Sequence, residues 1–333
     1  MLIRNLQYLV ALEREHHFAR AAQSCNATQP ALSAGLKQLE EDLGFLLVER
    51  GQRFQGFTLE GQRVLQWAHR ILAELSHLEQ DASALRGRLE GRLRLGVVPT
   101  ALPLMALITT PFAQAFPDVA LSILSLTSAD IQRGLDDFSL DAGVTYLDNE
   151  PLARVRTVAL YHERYFLFTP KSGPLVERAR VTWAEAAQMP LCLLTPDMQN
   201  RRILDANFGA AGVAARAAIT TNSVLTLVAH VRSGNWSCIL PEAFRAVLGD
   251  DASLLMLPLE ASGLQPAVGL VMPDREPLSP SARALHDTVE SAGVRAAFRQ
   301  AAGEIGSAGK ALTLRIARKR SGLLPRSVYR VGL

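Results

Sequence analysis

The chain has 333 residues, of which 48% are hydrophobic and 20% charged. This is enough apolar material for about two packed domains, and it excludes a wholly disordered protein. No apolar run approaches the roughly 20 residues of a membrane-spanning helix, and polar residues interrupt the N-terminal segment. We therefore expect a cytoplasmic protein with no membrane partner. The net charge of +3 is misleading, because residues 305–333 hold seven basic and no acidic residues, which leaves the rest at −4. Composition alone does not predict nucleic-acid binding.

The sequence contains no recognisable catalytic or metal-binding motif. The three cysteines are widely spaced, without a C-x-x-C pair, which argues against a disulfide scaffold or zinc finger. Cys25, Cys192 and Cys238 all fall in apolar patterns and are predicted to be buried. G-x-S-x-G, H-E-x-x-H, Walker and G-x-G-x-x-G motifs are absent from the sequence. We therefore expect no catalytic residue, no metal and no cofactor.

The first 43 residues predict three helices. A break at Asn26 separates the second helix from the third, for which Thr28 is a good N-cap. Pro30 fits the first turn, and Gly44 is suited to end the helix. Leucines repeat every three or four residues and mark the buried side. Two short helices joined by a tight turn form a helix-turn-helix, with polar residues of the second helix on an outward face that fits a major groove.

Residues 45–57 alternate weakly and turn between Arg50 and Arg53, which predicts a β-hairpin wing with arginines at its tip. Thr58 then caps a long linker helix, predicted over residues 59–90. Its apolar residues follow two heptad rows. One row is Val64, Ile71, Leu78 and Leu85, and the other is Ala68, Leu75, Ala82 and Leu89.

Such a stripe needs a partner. It either packs against the chain's own core or forms a two-chain coiled coil. We favour the coiled coil, because no neighbouring segment offers a matching long helix. The expected dimer contacts are Val64, Ile71, Leu75, Leu78 and Leu85.

Beyond residue 91 the pattern becomes strand–helix alternation, which predicts an α/β layered sheet. Strands are expected at 92–98, 119–126 and 142–145, with helices at about 101–116 and up to 138. Two similar strands, 165–169 and 268–272, each run into a proline and read as crossings between two lobes. Lobe I then comprises about 91–163 and 268–302, with a final helix near 279–293, and lobe II comprises about 164–267. The basic residues 303–333 are expected to be a mobile tail.

Residues 18–62 carry a recognisable pattern, FARAAQSCNATQPALSAGLKQLEEDLGFLLVER followed by FTLEGQ. This resembles the N-terminal domain of LysR-type transcriptional regulators, and the resemblance continues through GRLRLGVVPT to about residue 300. It implies an α/β multidomain fold: a winged helix-turn-helix, a dimerising linker helix and a two-lobed effector domain like a periplasmic binding protein. It also implies a homotetramer of two dimers. The implied partners are promoter DNA, a small metabolite and, for an activator, RNA polymerase.

The resemblance places DNA-reading residues on the third helix and the wing. Glutamine can pair with adenine, and lysine or arginine neutralises phosphates. Ala34 and Gly35 depart from the pattern, since many members carry arginine and glutamine there. Residues 1–58 hold six basic and six acidic residues, and the acidic run 40–42 lies at the far end of the third helix, so we expect a modest electrostatic contribution per monomer. The carried-over set is Thr28, Gln29, Pro30, Ser33, Lys37, Arg50 and Arg53.

Four predicted helix starts face the cleft between the lobes, where the resemblance places the effector. Free N–H groups and the positive dipole ends of helices favour an anion, so we expect a small carboxylate or similar ligand. The alternative for each residue is an ordinary N-cap, and Arg201 can equally be a solvated helix residue. The candidate effector residues are Thr100, Thr127, Ser128, Pro196, Gln199, Arg201, Asn222 and Ser223.

Two other functions fit the two-lobed scaffold. An enzyme would place a catalytic acid or base in the cleft, where the helix starts supply mostly neutral groups. A transport binding protein would carry an export signal. Both leave the helix-turn-helix and the heptad helix unexplained, so the sequence favours a DNA-binding regulator.

Overall fold

The structure, a computed structural model, describes residues 2–49, 51, 54–249, 251, 253–260 and 265–303. Arg50, Arg53 and nearly all of the predicted tail lie outside the described residues. Three helices come first, α1 (Ile3–Glu15), α2 (Phe18–Ser24) and α3 (Gln29–Leu43), followed by the linker helix α4 (Leu59–Leu85).

The helix-turn-helix is present as predicted. Thr28 caps α3, its Oγ1 accepting a hydrogen bond from Ala31 N, and Gly44 ends the helix in the left-handed region at φ 83°. The leucines of the predicted stripe pack against α1 and α2. The core of this domain includes Leu9, Leu12, Ala21, Leu32, Leu36 and Leu39.

Within the part of the wing that the structure describes, an antiparallel bridge joins Val48 and Phe57. Thr58 then caps α4 and donates its hydroxyl to Leu46 O at 2.7 Å. Gly61 lies so close to the wing that a Cβ there would be 2.0 Å from Leu47 O. Only glycine fits this junction without a backbone shift.

The linker helix is shorter than predicted. It ends at Leu85 rather than at residue 90, and Gly87 follows in the left-handed region at φ 80°. Leu89, assigned to the heptad row, is not helical and packs instead against the effector-domain core. The row is therefore interrupted before its fourth heptad is complete.

Part of the heptad stripe packs within the chain, so neither alternative holds for the whole helix. Ala68 is fully buried in the N-terminal core, and Val64 is half-buried against it. Leu75 is half-buried as well. Ile71, Leu78 and Leu85 remain exposed, at 36%, 66% and 78%.

Lobe I contains a five-stranded sheet in the order β2-β1-β3-β10-β4. The first three strands in this order are parallel, and β10 runs antiparallel to both of its neighbours. Its strands are β1 (Gly91–Val97), β2 (Val119–Ser125), β3 (Ala142–Tyr146), β4 (Val155–His162) and β10 (Ala267–Pro273). The predicted helix at 101–116 is a 3-10 turn, Leu102–Leu104, followed by α5 (Ala106–Ala115).

The remaining helices of lobe I are α6 (Ser128–Asp136), α11 (Pro280–Glu290) and α12 (Ala292–Gly303). The predicted final helix at 279–293 is thus two helices, separated at Ser291. The second of these extends to the start of the predicted tail.

Lobe II holds a three-stranded sheet, β8-β5-β9, and a parallel pair, β6-β7. Its strands are β5 (Tyr165–Pro170), β6 (Leu191–Leu194), β7 (Ala217–Thr221), β8 (Cys238–Pro241) and β9 (Leu254–Pro258). Its helices are α7 (Trp183–Ala187), α8 (Gln199–Ala210), α9 (Val224–Arg232) and α10 (Ala243–Leu248). Strands β5 and β10 stand at the two predicted crossings. Among the described residues, no helix has the length and apolar character needed to cross a membrane.

Candidate functional site

The outward face of α3 is polar and open. Thr28, Gln29, Pro30, Ser33 and Lys37 are all exposed, because the leucine stripe holds the opposite side of the helix in the core. Lys37 Nζ lies 3.6 Å from Glu41 Oε1, an exposed pair of the kind that contributes little to stability and can be exchanged for a phosphate contact.

Gly35 has a packing role. A Cβ at this position would be 2.7 Å from the Tyr8 ring. A long side chain at position 35 would therefore displace Tyr8 or tilt α3, and the departure from the LysR-type pattern has a structural reason.

A buried polar cluster, here called the Glu163 cluster, joins the two lobes. Tyr146, at the end of β3, has its hydroxyl 2.8 Å from Thr100 Oγ1 and donates to Glu163 Oε2 at 2.9 Å. Tyr165 donates to the same Glu163 oxygen at 2.9 Å, and Asn200 Nδ2 of α8 donates to the Tyr146 hydroxyl at 3.1 Å. Glu163 lies between β4 and β5, at one of the two crossings between the lobes. Both lobes therefore contribute to one hydrogen-bond network.

A second contact closes the cleft beside it. Ser128, the first residue of α6, donates its hydroxyl to Gln199 Oε1 at 2.6 Å, and Gln199 Nε2 donates to Asp148 O at 3.3 Å. Ser128 Oγ also lies 2.9 Å from Thr145 Oγ1. The structure thus brings three predicted effector residues, Thr100, Ser128 and Gln199, into one buried region.

The other predicted effector residues have other contacts. Thr127 caps α6 through Asp130 N, and Ser223 caps α9 through Thr226 N, while Asn222 is exposed. The helix expected at Thr195–Pro196 begins instead at Gln199, which leaves Pro196 exposed.

Arg201 is likewise engaged elsewhere. It donates to Leu194 O at 2.9 Å and to both oxygens of Asp205, so its guanidinium is held within lobe II.

Burial raises the pKa of Glu163 to about 7, although the Tyr165, Tyr146 and Thr100 hydroxyls oppose that shift. Burial also raises the pKa values of Tyr146, Tyr161 and Tyr165 well above the usual value for tyrosine, so these groups stay neutral. Glu163 is therefore the group of the cluster that titrates near neutral pH.

The Glu163 cluster should make folding stability depend on pH. The pKa of Glu163 is higher in the folded protein than in the unfolded chain. The stabilisation of the fold by protonated Glu163 is therefore complete below about pH 4.5 and is lost as the pH rises through 7. The expected loss is on the order of 3 kcal/mol. Glu163→Gln should flatten this dependence, whereas Glu79→Gln, at an exposed position on α4, should keep it. Thermal unfolding of the three proteins at pH 5 and pH 8 measures the difference, and equal slopes for wild type and Glu163→Gln would contradict the assignment.

The cleft is connected to the linker helix through Asp141, which immediately precedes β3. Its carboxylate accepts hydrogen bonds from Arg94 N and the Arg94 guanidinium, at 2.7 to 3.2 Å, and lies 3.7 Å from His77 Nε2 of α4. Burial acts to raise the pKa of Asp141, but the nearby His77 imidazole and the hydrogen bonds from Arg94 outweigh it and hold the pKa below its usual value. Thr145 and Tyr146 lie at the other end of β3, so one short strand links the cleft to the helix.

Sequence reasoning missed Tyr146, Glu163 and Tyr165. A charged residue between two strands, with Tyr161 before it and Tyr165 after it, was the available indication, but it does not show which way the carboxylate points. The missed coupling residues, His77 and Asp141, are 64 positions apart and look like ordinary surface residues in the sequence.

Two family models match the chain. Residues 3–62 match the bacterial regulatory helix-turn-helix protein model of the lysR family. Residues 86–293 match the LysR substrate binding domain, which by itself covers more than half of the chain.

Curated relatives include the DNA-binding transcriptional dual regulator OxyR of Escherichia coli K12, 34% identical over 195 residues, 58% of this chain and 64% of OxyR. The hydrogen peroxide-inducible genes activator of Haemophilus influenzae is 32% identical over 192 residues, 57% of this chain and 61% of that protein. The chain thus matches about three-fifths of the length of these relatives. The uncharacterized HTH-type transcriptional regulator YnfL of E. coli K12 matches further, with 28% identity over 84% of this chain and 95% of YnfL.

Solved structures share the whole fold. A full-length OxyR variant from Pseudomonas aeruginosa has a TM-score of 0.67 at 23% identity, covering 87% of this chain and 97% of that one. The LysR family regulator CbnR has a TM-score of 0.67 at 19% identity, covering 91% and 99%. The family comprises transcriptional regulators, so the enzyme alternative is not retained. The helix-turn-helix match and the effector-domain match together show that the chain belongs to the LysR family of bacterial regulatory helix-turn-helix proteins.

Proposed function

We propose that this chain is a sequence-specific transcriptional regulator that binds promoter DNA through α3 and responds to a small molecule in the interlobe cleft. The observation that carries the proposal is the connection of the Glu163 cluster to the linker helix through β3 and Asp141. A ligand that changes the hydrogen bonds of Tyr146 shifts one end of β3, and the other end holds α4.

The DNA-binding part of the proposal is supported by the exposed polar face of α3. Gln29 and Ser33 are one helical turn apart and lie on the same side, where both reach a groove that accommodates a helix. Thr28, Pro30 and Lys37 flank them. Arg50 and Arg53 are proposed to hold the backbone phosphates from the wing.

The assembly proposed is a dimer of dimers. Ile71, Leu78 and Leu85 are exposed at seven-residue spacing on α4, which is the arrangement of a helix that pairs with another. An activator of this kind would also contact RNA polymerase at the promoter.

The peroxide named in some relatives is not adopted as the effector. Cys192 and Cys238 are fully buried on β6 and β8. Burial raises the pKa of the Cys238 thiol well above its usual value, whereas a hydrogen bond with Cys238 lowers the pKa of Cys192. Since the reactive thiolate must also be accessible to an oxidant, the full burial of both side chains suits packing better than sensing. Cys25, at the end of α2, is partly buried against the N-terminal core.

Selection of duplexes from a library of genomic fragments tests the proposal. The intact chain should retain a small set of fragments sharing an interrupted palindrome, and competition with random duplex should not displace them. Retention of fragments without a shared sequence would contradict sequence-specific regulation.

A further inference from the structure

We propose that the Glu163 cluster recognises a primary ammonium group, so that the effector is a cationic amine rather than the anion expected from the helix starts. This inference rests on the proposed function, because it names the ligand class of the same cleft. It follows from comparing the donors and acceptors of the cluster that already have hydrogen-bond partners with those that have none.

The hydroxyl protons of the cleft are already committed. Tyr146 has one hydroxyl proton, and it goes to Glu163 Oε2. The hydroxyl of Thr100, 2.8 Å from the Tyr146 oxygen, therefore donates to that oxygen or to the Glu163 carboxylate, whose pKa it lowers, and the Asn200 amide donates to the Tyr146 oxygen. Tyr165 gives its proton to Glu163 as well.

The neighbouring contact follows the same logic. Ser128 donates to Gln199 Oε1, so the nearby Thr145 hydroxyl must donate to Ser128. Gln199 Nε2 is used by Asp148 O. An incoming carboxylate would find no free hydroxyl proton on any of these side chains.

The open atoms around Glu163 include two acceptors, together with the Tyr161 hydroxyl, which can donate or accept. Glu163 Oε1 and Asn200 Oδ1 are buried and have no hydrogen-bond partner, although both side chains contact the same Tyr146 hydroxyl. Both acceptors therefore belong to side chains that contact Tyr146. An ammonium group carries three donors and no acceptor, which matches this pair.

Charge points the same way. Glu163 is fully buried, and within the described part of the chain the groups that act on it are three neutral hydroxyls and no cation. The arginines at the start of α8 are engaged elsewhere, Arg201 by Asp205 and Arg202 by Glu150 and Pro196 O. A buried carboxylate without a counter-ion is unfavourable, and a cationic ligand supplies the missing charge.

The test uses the intact chain at pH 8, where Glu163 is ionised. Thermal shift is measured with straight-chain alkylammonium and α,ω-diammonium chlorides of two to five carbons, each compared with the sodium mono- or dicarboxylate of equal length at constant ionic strength. At least one ammonium compound should raise Tm by 2 °C or more, saturably, at millimolar concentration. Its carboxylate counterpart should not.

Matched variants locate the effect. Glu163→Gln should abolish the ammonium shift, and Glu79→Gln should retain it. If Glu163→Gln does not fold, Asn200→Leu removes the other open acceptor, and it should weaken the apparent affinity at least tenfold. Three outcomes overturn the proposal: a shift by carboxylates alone, an undiminished ammonium shift in both cleft variants, or no ammonium shift at all, in which case water satisfies the open acceptors.

The proposed function is tested separately in the same preparation. Retention of the selected DNA fragment by the wild-type chain, without any amine, reports on it directly. A chain that retains the fragment but shows no ammonium shift refutes only the ligand class. A chain that retains no fragment refutes the regulatory function whatever the amine result.

Discussion

Replacing Gln29 and Ser33 together with alanine should abolish specific retention of promoter DNA while leaving the protein folded. Both side chains are exposed on α3, so their loss removes no core contact. A good base-edge contact contributes about 1–3 kcal/mol of discrimination, and a dimer presents each residue twice. The combined loss of at least about 3 kcal/mol corresponds to a hundredfold weaker specific binding.

The measurement is a gel-shift titration of the selected fragment against random duplex. Gln66→Ala is the control, since Gln66 is an exposed glutamine on α4, outside the predicted reading face. Non-specific binding, which depends on phosphate contacts, should change little in the double variant. Unchanged specific retention would show that α3 does not read the bases.

Replacing Leu78 and Leu85 together with aspartate should convert the proposed dimer to monomers. These leucines are 66% and 78% exposed in a single chain, so they gain burial only from a partner. Burying a leucine contributes about 1.5–3 kcal/mol, which gives about 6 kcal/mol or more for the four leucines of a dimer. Aspartates at these positions would add repulsion between the two helices.

Sedimentation velocity at micromolar concentration checks this result. Leu225→Asp is the control, because Leu225 is also 78% exposed but lies on α9 in lobe II. It should leave the assembly intact. If the Leu78 and Leu85 variant sediments as the wild type does, these leucines of α4 do not hold the subunits together.

The sequence predicted features that depend on neighbouring residues. A stretch of 17 residues contains the N-cap at Thr28, the helix end at Gly44 and the leucine stripe between them. The structure confirms all three. The strand–helix alternation of the effector domain was equally readable, because each element is local. The end of α4 was not, since the heptad pattern continues through Leu89 although Gly87 breaks the helix.

The site was predicted only in part, because its residues come from distant segments. Thr100, Ser128 and Gln199 were found as polar residues near helix starts, and the structure brings them together. The neighbours that decide their chemistry, Tyr146 and Glu163, lie in or beside strands and look like packing or surface residues. Which hydroxyl donates and which accepts depends on a three-dimensional network that no sequence spacing reveals.

The close contact between Gly61 and Leu47 restricts how the helix-turn-helix domain can move relative to the linker helix. There is no room for even a Cβ atom at Gly61, and Thr58 is hydrogen-bonded to Leu46 of the wing segment. The helix-turn-helix domain and the first turns of α4 are therefore packed as one rigid unit. Bending between the wing and α4 is therefore unfavourable. In the proposed regulator, a change in the cleft would therefore move the helix-turn-helix domain and the linker helix together as one unit, without changing the shape of the DNA-binding surface.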